Sequence, residues 1–445
     1  MTKQNNQKKN VIWNMIFSVL NAAQSAILLY FVNLICREER AGIFSFAFSI
    51  AVLFMYIGNY GIRNFQVSDT KERYRPSQYY AFRMVTLLAM VICVAIYILS
   101  RFAMPPISNA GNNSSEKMLV IIALCLTRLA ECLEDVFHGR YQQQNALYLA
   151  GMQGTVRILF ANLAFVLILM INHNLVWASM VMAIASWVCV VFFAIVTIRQ
   201  FGGFALDFSG KGMKSMMLEC FPLFTGYFLI TYLGNVTKYA LERYESNSLQ
   251  TYFNMIFMPV FVINLLSTMI FRPIIGTMAE NYNHGKIKEY QKLIQKQNGM
   301  IAIIAVLIIT ICYFIGIPTL SWFYKTDLSE YQIPFLILLL GGTLSAYSSF
   351  LNVCIITIRG QKKMLIATLL TAVVSYGITY KSLAYFVQRP DLLKQWNHIF
   401  PSLESLHLGV ASTAFFISML LQLILYILIH TAMLKKVLRY KGERG

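Results

Sequence analysis

Apolar residues fall into blocks of about twenty along the whole chain, each closed by a short polar segment. Twelve blocks can be read, at roughly 11–35, 43–62, 79–100, 118–138, 146–171, 175–198, 218–240, 250–275, 299–323, 331–358, 364–387 and 408–434. An α-helix rises about 1.5 Å per residue, so about twenty apolar residues cross a hydrocarbon core. The pattern predicts an all-α integral membrane protein with about 12 transmembrane helices. The tenth and eleventh blocks are parted only by Arg359 to Lys363. The first apolar run is too long for a signal peptide, and no small-residue cleavage site follows it.

The polar segments set the direction of threading. With both ends inside, the inner segments hold 23 of the 37 Lys and Arg, and the outer segments hold 8. That bias predicts cytoplasmic N- and C-termini. Residues 199–217 are polar and Gly-rich and fall between the sixth and seventh blocks. They mark a cytoplasmic linker between an N-terminal six-helix bundle (1–198) and a C-terminal one (218–445). In residues 284–298, Ile287, Tyr290, Leu293 and Ile294 recur at helical spacing with lysines on the other face. This predicts a cytoplasmic amphipathic helix lying on the membrane surface, with a solvated linker as the plainer alternative. The longest outer segment, 388–407, is too short for an external catalytic domain.

Polar side chains inside a span must face protein or a water-filled space, so their spacing reports the inner surface. Asn14, Ser18, Asn21 and Ser25 form one stripe on the first span, with Gln24 beside it. Thr231, Asn235 and Lys238 form another on the seventh. Stripes on the first helix of each half suit two bundles around a central cavity; the plainer reading is that they glue helices together. Six bases lie within spans: Arg83, Arg128, Arg157, Lys238, Arg272 and Lys381. Arg83 and Arg272 sit toward the inner side, where snorkelling would explain them. Arg128, Glu131 and Asp135 share one face of the fourth span, with Glu134 at its edge. An Arg128–Glu131 pair would reduce the cost of burial. The three acids form either a stabilising ion cluster, a site for H+ or Na+ coupling, or a salt-bridge gate. With Glu219 the spans hold four acids against six bases, so the interior is net positive and suits an anionic cargo.

Composition removes other classes. The chain has 445 residues, 58% hydrophobic and only 13% charged. Its formal charge of +18 does not indicate nucleic-acid binding, because the basic residues are scattered between apolar blocks. The eight cysteines include no C-x-x-C, which argues against disulfides and zinc. No phosphate loop, H-E-x-x-H or G-x-S-x-G occurs, and the six histidines are dispersed. No cofactor or metal site is expected, and nothing resembles a chemical catalyst.

Three segments carry a family likeness. They are Gly61 to Asp69 (GIRNFQVSD), Asn235 to Tyr239 (NVTKY) and Phe257 to Ile275 (FMPVFVINLLSTMIFRPII). They resemble segments of bacterial polysaccharide flippases, a MATE-like branch of the multidrug/oligosaccharidyl-lipid/polysaccharide exporter superfamily. The resemblance implies two six-helix bundles, alternating access and a bacterial cytoplasmic membrane. It implies as cargo an oligosaccharide linked through pyrophosphate to a polyprenyl lipid, with membrane lipids, glycosyltransferases and a polymerase of the same pathway as partners. It brings Arg63, Lys238 and Arg272 forward as phosphate contacts, beside Arg128, Arg157 and Lys381 and the polar Asn14, Ser18, Asn21, Ser25 and Asn235. Two other readings remain open here. One is a cation-coupled multidrug exporter of the same superfamily, which would favour an acidic cavity. The other is a membrane polysaccharide polymerase or glycosyltransferase, which would favour a larger outer loop.

Overall fold

The computed structural model describes residues 2–69, 73–103, 114–201, 203–271 and 274–442. Nearly all of them are helical. In chain order the helices are α1 (Thr2–Asn59), α2 (Ile62–Ser68), α3 (Pro76–Ala103), α4 (Ser114–Gln143), α5 (Leu147–Asn172), α6 (Leu175–Thr197) and α7 (Gly210–Tyr244). They continue as α8 (Asn247–Phe271), α9 (Ile275–Asn283), α10 (Ile287–Tyr324), α11 (Gln332–Thr357), α12 (Gln361–Val387), α13 (Leu393–Trp396) and α14 (Leu403–Gly442).

Ten stretches among these residues are long and apolar enough to cross a membrane. The first of them runs from Lys9 to Ser68 and contains a break at Arg37, whose backbone (φ 68°, ψ 177°) is not helical. It therefore supplies two crossings. Helix α4 is long enough to cross but carries Arg128, Glu131, Glu134 and Asp135 in its membrane part, which keeps it out of the ten. With these two added the crossings come to about twelve, as the apolar blocks predict. Large apolar side chains such as Leu99, Ile171 and Phe314 point outward, as a lipid-facing surface requires.

The eleventh crossing is separated from the tenth by a tight cap. Arg359 adopts φ 62°, the N–H of Gly360 bonds to Ile355 O at 2.8 Å, and the N–H of Arg359 bonds to Ile356 O at 2.9 Å. This is the Schellman arrangement, and it stops α11 within three residues. The α4–α5 turn repeats it, with Asn145 at φ 57° and Ala146 N–H bonded to Tyr141 O at 2.8 Å.

The chain divides into two compact units, Met1–Thr231 with Glu245–Thr251, and Tyr232–Tyr244 with Tyr252–Gly445. The change of unit falls inside α7. In the first unit α1 packs on α3, α4 and α5, and α6 packs on α4 and α5. Gly151 of α5 meets the backbone of Trp13, where a Cβ would lie 2.6 Å from the Trp13 carbonyl carbon. Lipid offers no hydrophobic drive for helix association, so close backbone contact of this kind does the holding. In the second unit α14 packs on α11 and α12. The α12 side of its seam is a stripe of fully buried Thr368, Thr371, Ser375 and Thr379, and Thr368 shares a 2.7 Å hydrogen bond with Tyr426 of α14.

The lysine-flanked segment 284–298 departs from expectation. It forms no separate surface helix: from Ile287 it is the opening of α10 and runs unbroken into the membrane stretch. Its apolar face is covered by protein. Ile287, Tyr290 and Ile294 are buried, and the Tyr290 hydroxyl donates to Cys354 O of α11 at 3.2 Å and lies 3.3 Å from His430 Nε2 of α14. Helical periodicity gives the same pattern whether lipid or protein covers the face.

The threading has a direct test. In a cysteine-free background, N397C should react with a membrane-impermeant maleimide in intact cells, while K288C should react only after permeabilisation. The reverse labelling would invert the topology.

Candidate functional site

Helix α4 carries its charges within three turns, and the surrounding helices supply the partners. Arg128 pairs along the helix with Glu131, and its guanidinium carbon lies 4.6 Å from the ring centre of Phe48 in α1. Arg157 of α5 donates through Nε to Glu134 at 2.7 Å and places Nη2 3.7 Å from Glu131. Arg83 of α3 donates to Asp135 at 2.8 Å and to the carbonyl of Gly58. Arg63 of α2 reaches Asp135 at 3.4 Å and Gln142 Oε1 at 3.3 Å. His138 stands 3.6 Å from Glu134. Four arginines thus face three carboxylates in two groups stacked along α4, one around Glu131 and Glu134 and one around Asp135, a ladder with an excess of one positive charge before His138 is counted.

Exposure differs among the arginines. Arg83 and Arg157 are sealed, with 0% and 1% of their side chains exposed. Arg63 and Asp135 form the open end, at 25% and 21%. Sealed arginines bound to carboxylates are structural fixtures, because a charge in the membrane interior must be paired or it disrupts the packing. The open end is where a solute could meet a guanidinium.

Helix α2 sets the position of Arg63. Gly61 turns the chain at φ 70°, and α2 then lies against α4. The contact is close because position 139 is glycine; a Cβ there would meet the side chain of Gln66. Gln143 Nε2 donates to Gln66 O at 2.8 Å, and Gln66 is fully buried. Beyond α2, Asp69 accepts from the N–H groups of Arg73 and Tyr74 at 3.2 Å each and from the Tyr79 hydroxyl at 3.0 Å. Arg73 in turn holds Glu219 of α7 at 3.0 Å, so Glu219 belongs to a polar surface cluster.

The remaining candidates are dispersed. Lys238 is buried in the second unit, its ammonium 4.9 Å and 5.3 Å from the ring centres of Phe257 and Phe261 of α8. Aromatic faces attract a cation placed over them. Asn235, one turn earlier on α7, is half-buried. Lys381 is exposed on the outside of α12. Arg272 lies outside the described residues. On α1, Asn14 belongs to the seam with α5, donating to Leu147 O at 3.2 Å. Gln24 likewise donates to Asn162 of α5 at 2.9 Å. Ser18 and Asn21 are exposed and Ser25 is half-buried. The stripe therefore splits between helix glue and an accessible polar face.

The roles of several residues of the site are not legible from spacing alone, although Gln66, Phe257 and Phe261 fall within the segments that carry the family likeness. Arg83 reads as a snorkelling residue but is enclosed by Asp135 and Gly58. Gln66 and Gln142 sit in polar stretches that read as loop. Phe257 and Phe261 are spaced four apart facing Lys238, yet nothing in an apolar span marks two of its phenylalanines as special.

The sequence profile of the family described as polysaccharide biosynthesis protein matches residues 7–282. The capsular polysaccharide biosynthesis protein CapF of Staphylococcus aureus is 22% identical over 354 residues, which cover 78% of this chain and 85% of that protein. Among solved structures, an inward-facing multidrug resistance MATE family transporter of the MOP superfamily superposes with a TM-score of 0.67 at 11% identity. That match covers 96% of this chain and 98% of the transporter. The lipid II flippase MurJ in an inward closed conformation superposes with a TM-score of 0.64 at 12% identity, covering 95% of this chain and 92% of the flippase. At such identities the likenesses establish the fold, that of MATE-like transporters and flippases, and nothing finer.

The ladder predicts a division between structural and accessible charges. Glu134→Gln should cost about 3–5 kcal/mol, because it strips the sealed Arg157 of its nearest carboxylate. Arg63→Ala, at the open end, should cost about 1 kcal/mol or less. Thermal unfolding of the purified variants in detergent reads the difference, and equal losses would contradict the division.

Proposed function

The chain belongs to the polysaccharide biosynthesis protein family, and from that premise we propose that it is a flippase for polyprenyl-pyrophosphate-linked oligosaccharides. It moves the repeat units of a surface polysaccharide across the bacterial cytoplasmic membrane by alternating access. The observation that carries the reading is the open end of the arginine ladder, where Arg63 is held by one partly exposed carboxylate and an amide.

The chemistry of the cargo fits this arrangement. A pyrophosphate cannot cross hydrocarbon without compensating charge. A guanidinium presents paired N–H donors matched to phosphate oxygens, which suits it better than a point charge. Arg63 is already oriented by Asp135 and Gln142, so little side-chain freedom is lost on binding. Phosphate oxygens compete with Asp135 for the same donors. Glu131, Glu134 and Asp135 then act as a gate: Glu134 keeps Arg157 fixed, while Asp135 and Glu131 release the outer arginines to the cargo. Hydroxyl and amide groups such as Ser18 and Asn21 offer hydrogen bonds to sugars.

A cation-coupled multidrug exporter draws support from the MATE likeness. The positive excess of the ladder weighs against it, since a cationic drug meets repulsion there. Coupling to H+ or Na+ through the α4 carboxylates is compatible with either cargo.

Arg63→Ala should reduce surface polysaccharide by about 10- to 100-fold, the loss of a charge-assisted contact worth about 1.5–3 kcal/mol. Arg63→Lys should restore part of it, and protein levels should stay normal in both. Immunoblotting of polymer and protein makes the check. Full polymer production by Arg63→Ala would remove the phosphate role, and resistance to cationic dyes on expression would favour the exporter.

A further inference from the structure

A second polar–apolar boundary lies within the second unit, where α12 ends and α14 begins. A cavity of about 350 Å³ sits there among α11, α12 and α14. Its walls are apolar and include Ile337 of α11 and Ile378 and Phe386 of α12, and its roof is Trp396 and Phe400. The roof is built with care. The Phe400 N–H donates to Trp396 O at 2.9 Å, and the Phe400 ring rests against Gly409, where any Cβ would collide with it. The connecting segment thus contributes Trp396, Ile399 and Phe400 to the lining of the slot.

The rim beside the slot is basic. Ile378, Ser382 and Phe386 line the cavity at four-residue intervals. Lys381 and Tyr385 each precede a cavity-lining residue by one position, about 100° round the helix, and Arg389 follows four residues later, just beyond the end of α12. All three are exposed, and Lys394 is exposed on α13 beside the roof. Arg389 stacks 4.7 Å from the centre of the Tyr385 ring and donates to its hydroxyl at 3.1 Å. The acids at this end include Asp391 and Glu330, which are exposed, and Glu404, which accepts from the Tyr331 hydroxyl at 3.0 Å. Lys381 lies six residues before the end of α12, about 9 Å along the axis, within reach of the headgroup level for an extended lysine.

We propose that this place binds an anionic phospholipid. One acyl chain enters the slot beneath Trp396 and Phe400, and the phosphate meets Lys381 and Arg389. A free anion has no use for the apolar slot, and a zwitterionic lipid offsets the rim cations with its own ammonium group. Charged side chains near an anionic headgroup contribute about 1 kcal/mol each. The site is independent of the cargo and needs no transport to be observed.

Native mass spectrometry of the full chain, released from detergent with phosphatidylglycerol or phosphatidylcholine of identical chains, tests it. Phosphatidylglycerol should be retained about tenfold better. The double variant K381A/R389A should lose that preference, while K362A/K363A at the other end of α12 should keep it. Ser382→Phe, which fills the slot, should lower retention of both lipids. Unfolding temperatures establish that each variant is folded, and Lys381→Gln alone replaces the double variant if that one fails to fold. Equal retention of the two lipids, a preference that survives K381A/R389A, or displacement of phosphatidylglycerol by equimolar polyprenyl phosphate would overturn the proposal.

Discussion

Charge inside hydrocarbon must be answered by charge or by oriented dipoles, because no water is there to do it. That constraint organises the first unit. Helix α4 carries too many ionised groups to be stable against lipid, so α2, α3 and α5 each bring an arginine to it. The ladder is strong evidence for a fixed arrangement of helices and weak evidence for added stability, since a buried pair roughly repays its own desolvation. Removing one member is another matter, because the remaining charge has nowhere to go.

The same constraint divides the arginines by function. Arg83 and Arg157 are fully enclosed and serve the fold. Arg63, on a short helix docked through Gln66 and Gln143, is accessible and only partly neutralised. The second unit meets the same difficulty differently. There Lys238 lies over two phenylalanine faces, whose quadrupoles attract the ammonium. Each unit thus holds a cation in its helical interior, and each holds it by different physics.

Packing between helices relies on small residues and tight turns more than on bulk. Gly151 admits the backbone of Trp13, and Gly139 admits the side chain of Gln66. The buried Thr and Ser stripe of α12 gives α14 a polar seam. The Schellman caps after α4 and α11 reverse the chain within three residues, so successive helices begin close together.

The sequence by itself determined the class and the approximate number of crossings, and its Lys/Arg bias predicts a direction of threading. Block length and the Lys/Arg bias are one-dimensional quantities, set by bilayer thickness and membrane insertion. It also gave the Arg128–Glu131 pair, since partners three residues apart on one helix need no tertiary information. Three further matters were decided only by the fold. Arg83 and Arg63 meet Asp135 across 52 and 72 residues of chain. The apolar face of 287–294 is covered by α11 and α14 and not by lipid. Asn14 went to helix glue while Ser18, one turn on, stayed exposed. Periodicity tells which residues share a face; what that face meets depends on contacts made between distant parts of the chain.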